Sequence, residues 1–248
     1  MARTDMDSDA RIAELEAELA ALRREMQDLT YVVGHDLRAP LRHIVSFAQL
    51  VKEDAGPQLS SEVQGFLDTI TVSAQNLTQM LDALLELSRV GTVPLQPVQV
   101  SLQALVQEVT NDLTALHPTR QLKWQIADDL PTWLADPVLL RGALKQTLGN
   151  AVKFTAKKDV AVISIRTIPD GQHLVLEIAD NGAGFNPAMQ SKLLQPFQRL
   201  HHVREFPGLG MGLALARKSI ERMGGGIRIE GQLDAGCRVI LTLPLQLT

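Results

Sequence analysis

From Ile12 onward, apolar residues recur in alternating steps of three and four: Ile12, Leu15, Leu19, Leu22, Met26, Leu29 and Val33. An α-helix gathers such positions into one stripe, and a stripe sustained this way is the seam of a coiled coil. Charged residues such as Glu14, Glu16, Arg23 and Arg24 flank it. The pattern continues through Ile44, Phe47, Leu50 and Val51 until Asp54-Ala55-Gly56-Pro57 breaks the helix. Ser60 or Ser61 can cap a second helix running to about Arg89, with Val63, Phe66, Leu67, Ile70, Leu77, Leu81, Leu84 and Leu85 on its apolar side. Two long helices joined by a short turn form an antiparallel hairpin. One hairpin cannot bury both apolar faces, whereas two can, as a four-helix bundle. The pattern therefore predicts a homodimer, with a parallel coiled coil leading into it because no helix precedes the seam.

The segment Gly91-Thr92-Val93-Pro94-Leu95-Gln96-Pro97 reads as a linker. Beyond it the pattern becomes mixed. Helices are predicted over Leu102 to Leu116, Asp136 to Thr155 (Pro137 in its first turn) and Leu209 to Met223. Strands are predicted over Leu122 to Ile126, Val160 to Thr167, His173 to Ala179, Ile227 to Glu230 and Arg238 to Leu243. That order predicts a sheet with helices on one face.

Composition narrows the functional classes. Aromatics are only 4% of the 248 residues, so the helices must pack through Leu, Ala and Val. A net charge of −4 argues against a general nucleic-acid binder. The single cysteine, Cys237, excludes an internal disulfide framework and fits a reducing compartment. No apolar run reaches the roughly 20 residues that cross a bilayer, and the charged N-terminus has no apolar signal core. The expectation is a cytoplasmic chain without a membrane segment, to which a sensor portion can be joined upstream.

Five stretches carry chemistry. In His35-Asp36-Leu37-Arg38-Ala39-Pro40-Leu41-Arg42 an imidazole sits beside a carboxylate, and Pro40 removes the hydrogen bond to the Asp36 carbonyl, predicting a kink that interrupts the helix. In Gln146-Thr147-Leu148-Gly149-Asn150-Ala151-Val152-Lys153-Phe154-Thr155, the Gln146 and Asn150 amides share a helix face with Lys153 close by. Amide oxygens suit Mg²⁺, and a lysine suits phosphate. Asp180-Asn181-Gly182-Ala183-Gly184-Phe185 follows a strand and places an acceptor beside glycines that admit a ligand to the backbone. Gly208-Leu209-Gly210-Met211-Gly212-Leu213 opens a helix, where free N–H groups attract anions. Between the last two lie Phe197 and the basic residues Arg199, His201, His202 and Arg204, which can meet phosphates from above as a mobile lid. Taken singly, each stretch has an ordinary alternative: a surface histidine, a polar helix face, a strand-ending turn or a solvated basic loop.

Their order and spacing over roughly residues 28 to 244 resemble the sensor histidine kinases. The His35 segment resembles the phosphoacceptor box, the Asn150 segment the N box, and the Asp180 segment the G1 box. Phe197-Gln198-Arg199-Leu200-His201 resembles the F box, and Gly208 to Gly212 the G2 box. The HDLRAPLR and FQRLH variants look most like kinases attached to phytochromes. The resemblance implies three parts: a coiled-coil signalling helix over 1–30, a dimerisation and histidine phosphotransfer domain over 31–92, and a Bergerat-type α/β sandwich that binds ATP over 98–248. It implies that His35 attacks the γ-phosphate and that Asp36 polarises the ring and takes up its proton. Asn150 would ligate Mg²⁺ with help from Gln146, and Lys153 would meet the phosphates. Asp180 would read adenine beside Gly182 and Gly184. Phe197, Arg199, His201, Gly208, Gly210, Gly212 and Leu213 complete the implied nucleotide set. The phosphoryl group would pass to the receiver domain of a separate response regulator, under control of an upstream sensor.

Departures from the family pattern carry their own expectations. Asp36 replaces the usual glutamate, and Gln146 replaces the usual asparagine or acid of the N box. Ala39 stands where phosphatase-competent members carry Thr or Asn, so weak phosphatase activity is expected. The short stretch from Phe197 to Gly208 implies a less complete cover over ATP. Two other classes share some features: a nucleotide-binding scaffold without catalysis, and another ATPase of the same superfamily. Intact His35, Asp36, Asn150, Asp180 and glycines argue against the first, and the hairpin ahead of the ATP domain argues against the second.

Overall fold

The structure is a computed structural model that describes residues 2–202 and 205–245. The side chains of Ile12, Glu16 and Arg23, and the whole of Arg204, lie outside the described residues. The chain divides into two compact units, Met1–Thr92 and Val93–Thr248.

The first unit is a helical hairpin of α1 (Ala2–Ala55) and α2 (Ser61–Val90), joined by a 3-10 turn at Gly56–Gln58. Ser60 caps α2 by accepting from the Val63 N–H at 3.3 Å. Gln64 donates to the Gly56 carbonyl at 2.7 Å and holds the turn closed. The interruption expected at Pro40 is absent: α1 is helical on both sides of it. Proline here removes one backbone bond, and the tertiary contact with α2 holds the remaining turns in register. Arg38–Asp82 (2.6 Å) and Lys52–Asp68 (2.5 Å) bridge the two helices. Full burial within this unit falls to small residues, among them Gly34, Ala48 and Ala74, while Leu15, Leu19, Leu22, Met26, Leu29, Phe47, Phe66 and Leu77 stay exposed. Each such side chain would contribute about 1.5–3 kcal/mol if covered.

The second unit is an α/β sandwich. Its five-stranded mixed sheet has the order β2-β4-β5-β7-β6. The strands are β2 (Gln121–Ile126), β4 (Val160–Ile168), β5 (His173–Asp180), β6 (Gly226–Gly231) and β7 (Cys237–Pro244). β2 and β4 run parallel, and the other pairs are antiparallel. Helices α3 (Leu102–Leu116), α4 (Pro137–Phe154) and α5 (Gly212–Arg222) supply the second layer. Leu102, Leu140, Leu144, Leu148, Ile163, Ile165, Leu176, Ile178, Ile220 and Leu241 fill the core between the layers. Two short strands absent from the sequence expectation, β1 (Val98–Ser101) and β3 (Thr132–Ala135), pair antiparallel beside it. α5 begins at Gly212 rather than at Leu209, because Gly208 and Gly210 hold φ of 128° and 76°, outside any helix. Among the described residues, no helix is long and apolar enough to cross a membrane.

Candidate active site

The site in the second unit is built on α4. Asp136 caps that helix by accepting from the Val138 and Leu139 N–H groups, both at 3.0 Å. Leu140, Leu144, Leu148 and Ala151 bury one face in the core, which turns Gln146, Asn150 and Lys153 towards the start of α5. Space shows the approach. A Cβ on Gly212 would lie 2.8 Å from Gln146 Oε1 and 3.4 Å from Asn150 Nδ2, and one on Gly208 would lie 3.5 Å from Lys153 Nζ. Thus the two amides, the lysine and the glycines before α5 converge. The first N–H groups of α5, those of Gly212 and Leu213 included, precede its intrahelical bonds and point out of its end. Leu213 itself is half-buried in the first turn.

Lys153 has its pKa lowered, first by burial and then by the positive charge of Arg199. Its ammonium lies 4.4 Å from the centre of the Phe154 ring. An ammonium in that setting gains most from an incoming anion, which would relieve both the burial and the repulsion.

Asp180 ends β5, the middle strand of the sheet. Its Oδ1 accepts from the Gly182 N–H at 2.8 Å and the Cys237 N–H at 3.3 Å, which leaves Oδ2 to a ligand. Burial pushes the carboxyl up to about 6, against the two backbone donors that favour its ionised form. The neighbouring Cys237 thiol is pushed up to about 12 by burial and then by Asp180, so it stays protonated.

The loop after Asp180 is held from three sides. Asn181 substitutes for a strand residue, accepting from the Val162 N–H at 3.0 Å and donating to the Val160 carbonyl at 3.1 Å. Ala183 donates to the Phe154 carbonyl at 3.1 Å and accepts from the Asp234 N–H at 2.8 Å. A Cβ on Gly182 would meet Asp180 Oδ1 and the Phe154 carbonyl, each at 2.7 Å. Gly184 (φ 57°) faces the β6–β7 turn, where a Cβ would lie 1.9 Å from the Gln232 carbonyl oxygen.

The basic stretch sits against this loop. Arg199 donates to the Phe206 carbonyl at 2.8 Å, and His201 Nε2 lies 2.9 Å from the Gly184 carbonyl oxygen. Phe197 is 40% exposed and holds φ of 61°, a left-handed conformation that an aromatic residue rarely adopts. His202 is exposed. Three contributors escaped the sequence reading. Phe206, 2% exposed, packs on Phe154 and His201 with ring centres 5.1 Å away in each case. The Cys237 N–H reaches Asp180 across the sheet. In the first unit, Gly34 sits directly under Leu85. A buried aromatic beside a basic stretch was the one usable signal, in a chain with only 4% aromatics.

In the first unit His35 Nδ1 lies 3.2 Å from Asp36 Oδ1, and both side chains are 70% exposed. A carboxylate at that distance accepts from Nδ1–H, which fixes the tautomer and leaves the lone pair on Nε2. Immediately before it, Gly34 is buried against α2, where a Cβ would lie 2.7 Å from Leu85 Cδ2.

Residues 25–92 match the His Kinase A (phospho-acceptor) domain. Residues 135–247 match the histidine kinase-, DNA gyrase B- and HSP90-like ATPase domain. The chain is 31% identical, over 98% of its length, to the methanogenesis regulatory histidine kinase FilI of Methanothrix harundinacea, and covers 27% of that protein. It is 30% identical, over 94% of its length, to cyanobacterial phytochrome A of Nostoc sp., and covers 30% of that one. Among solved structures, full-length ShkA in complex with AMPPNP shares the fold at a TM-score of 0.63 and 24% identity, over 89% of this chain and 46% of that one. The histidine kinase AdeS of Acinetobacter baumannii shares it at 0.60 and 18%, over 86% and 98%. A phosphoacceptor hairpin followed by a nucleotide-binding sandwich defines a class, and the chain belongs to it: the sensor histidine kinases of two-component signalling.

Proposed function

We propose that this chain uses ATP to phosphorylate His35 and passes the phosphoryl group to an aspartate on the receiver domain of a separate response regulator. The carrying observation is the convergence of Gln146, Asn150 and Lys153 on the glycines that open α5, beside the buried carboxylate of Asp180. In this reading residues 1–30 form the coiled-coil signalling helix that receives an upstream sensor's input. Residues 31–92 form the dimerisation and phosphotransfer domain, and 98–248 the ATP-binding domain. The exposed apolar residues of α1 and α2 support a homodimer that closes a four-helix bundle. The active chain works in the cytoplasm, where ATP and the regulator are found.

Asp180 accepts the adenine amine, with Gly182 giving the base room to approach. The α5 N-terminus, Lys153 and Arg199 hold the phosphates, with Gly208 and Gly210 shaping the turn. Asp36 keeps Nε2 of His35 as the free nucleophile. Nε2 forms a bond to the γ-phosphorus as the bond from that phosphorus to the β,γ-bridging oxygen breaks. ADP leaves, and the Nδ1 proton moves to Asp36. A regulator carboxylate oxygen then displaces the imidazole at phosphorus.

The residues present fit Mg²⁺. Among the described residues no group of three or more His, Cys, Asp or Glu is placed to hold a metal ion. The space that a Cβ on Gly212 would fill borders the Gln146 and Asn150 amides instead. Mg²⁺ takes a few protein oxygens together with water and phosphate oxygens, so the Asn150 amide oxygen would hold it with Gln146 supporting. When bound, it supplies charge neutralisation for the triphosphate.

Incubation with γ-labelled ATP and Mg²⁺ tests the proposal. The expected product is an acid-labile, alkali-stable label that His35→Gln abolishes and that a receiver domain removes. An unlabelled chain that still binds ATP would identify a scaffold instead.

A further inference from the structure

We propose that His201 is a positioning residue that fastens the Arg199–Phe206 stretch to the loop after Asp180, and does not itself touch the nucleotide. The inference deepens the reading of this site as an ATP site. A carbonyl oxygen only accepts, so the 2.9 Å contact with Gly184 puts the proton on His201 Nε2 and commits that N–H to the loop. The ring is also committed on its faces and edge: Phe206 lies 5.1 Å away and Phe154 5.5 Å away, centre to centre. Phe206 in turn packs on Phe154 at 5.1 Å, and Phe154 is the last residue of α4. The Phe154 carbonyl accepts from Ala183, in the same loop that His201 holds. One aromatic cluster therefore joins the end of α4, the loop after Asp180 and the stretch leading to the glycines.

The cluster has a target. Arg199 donates to the carbonyl of the anchored Phe206 at 2.8 Å, and its Cγ would lie 3.0 Å from a Cβ on Gly210. The guanidinium is thus aimed by the Phe206 carbonyl while its stem passes close to Gly210, and its charge already influences the Lys153 ammonium. Releasing His201 frees Phe206, and with it the acceptor that aims Arg199. Loss of His201 would act on phosphate binding through Arg199 rather than by removing a ligand.

The first test needs no nucleotide. Long-range ¹⁵N spectra of the imidazoles in the full chain, with His201→Phe used to assign the signal, should show the Nε2–H tautomer for His201. Addition of ADP should leave its ring nitrogens nearly unmoved. A ring protonated only on Nδ1, or one whose Nε2 shifts strongly on ADP addition, would overturn the proposal. Calorimetric titration with ATP and ADP is the second test. His201→Phe keeps the ring and loses the N–H, and should weaken ATP about fivefold, the equivalent of one modest hydrogen bond. His201→Gln keeps a donor and should recover most of that loss, whereas His201→Lys should not. Recovery by lysine and not by glutamine would make His201 a phosphate ligand. A chain that binds neither nucleotide while showing the Nε2–H tautomer would sink the ATP reading and leave the fastening intact.

Discussion

Asp180→Asn should stabilise the second unit while removing its nucleotide affinity. The Asp180 carboxyl is raised from 3.8 to about 6, with burial as the largest cause. Folding therefore favours its neutral form. The stability this group allows is fully present below about pH 4 and is lost as pH rises through about 6. A shift of roughly two units, at 1.36 kcal/mol each, sets an upper bound of about 3 kcal/mol for the burden of the buried carboxylate at pH 8. Asparagine removes the charge and keeps an oxygen for the Gly182 and Cys237 N–H groups, so most of that burden should lift. For a unit of this size each kcal/mol moves Tm by about 2–4 °C, so a gain of about 3–10 °C is expected at pH 8. Trp124 and Trp133, the only two tryptophans, both lie in Val93–Thr248, so their fluorescence follows this unit alone. The difference between variant and parent should shrink as pH falls and vanish near pH 4. A variant less stable than the parent at pH 8, or a difference that does not change with pH, would refute the reasoning. In the parent, ADP affinity should fall as pH drops through about 6, because the protonated carboxyl is the poorer acceptor for the adenine amine.

Gly34→Ala places a methyl 2.7–2.9 Å from Leu85 carbons, so circular dichroism should show the hairpin weakened by about 1–3 kcal/mol, and Leu85→Ala in the same chain should relieve the overlap. Gly184→Ala forces a Cβ to 1.9 Å from a backbone oxygen at φ of 57°, so the tryptophan signal should report an unfolded second unit. Gly142→Ala in α4 meets nothing within 4 Å and should instead stabilise by about 0.5–1 kcal/mol, which separates a steric effect from a general one. Ala39→Thr supplies a hydroxyl one turn after His35 that can orient a water, so a phosphorylated receiver domain should lose its phosphoryl group faster with the variant than with the parent.

Helices α2 and α4 were legible because each carries a long periodic pattern and a start signal, Ser60 before α2 and Asp136-Pro137 before α4, whereas α5, which no side chain caps, begins later than its pattern implies. Strands β1 and β3 were not legible, since four-residue segments such as Val98–Ser101 show no more alternation than a linker does. Pro40 misled in the other direction. A proline marks a lost hydrogen bond in every sequence, but whether the helix breaks there depends on what holds it from outside, here the α1–α2 contact with its Arg38–Asp82 bridge. Glu177 shows the same limit. One acid inside the apolar strand His173–Asp180 gives no hint that it lies 3% exposed between Arg166 and Arg238 of the neighbouring strands.

In the site, chemistry was legible and space was not. Residue type announces what a side chain can donate, accept or neutralise, so Gln146, Asn150, Lys153 and Asp180 stand out from a single chain. A glycine does not announce whether a Cβ has room, which is open at Gly142 and closed at Gly184. Nor does it say what takes the room: the Gln146 amide at Gly212, backbone of the β6–β7 turn at Gly184, the Gln198 carbonyl at Gly210. The distinction changes how a variant reads. A methyl at Gly212 intrudes on side-chain amides that can move, so nucleotide affinity should suffer before stability does. A methyl at Gly184 intrudes on a peptide fixed in a sheet turn, so stability should fail first and any loss of ATP binding would follow from it. His201 presents the same ambiguity in a polar residue. Its type fits a phosphate, but its N–H is already given to a carbonyl, and only the fold determines which of these it serves.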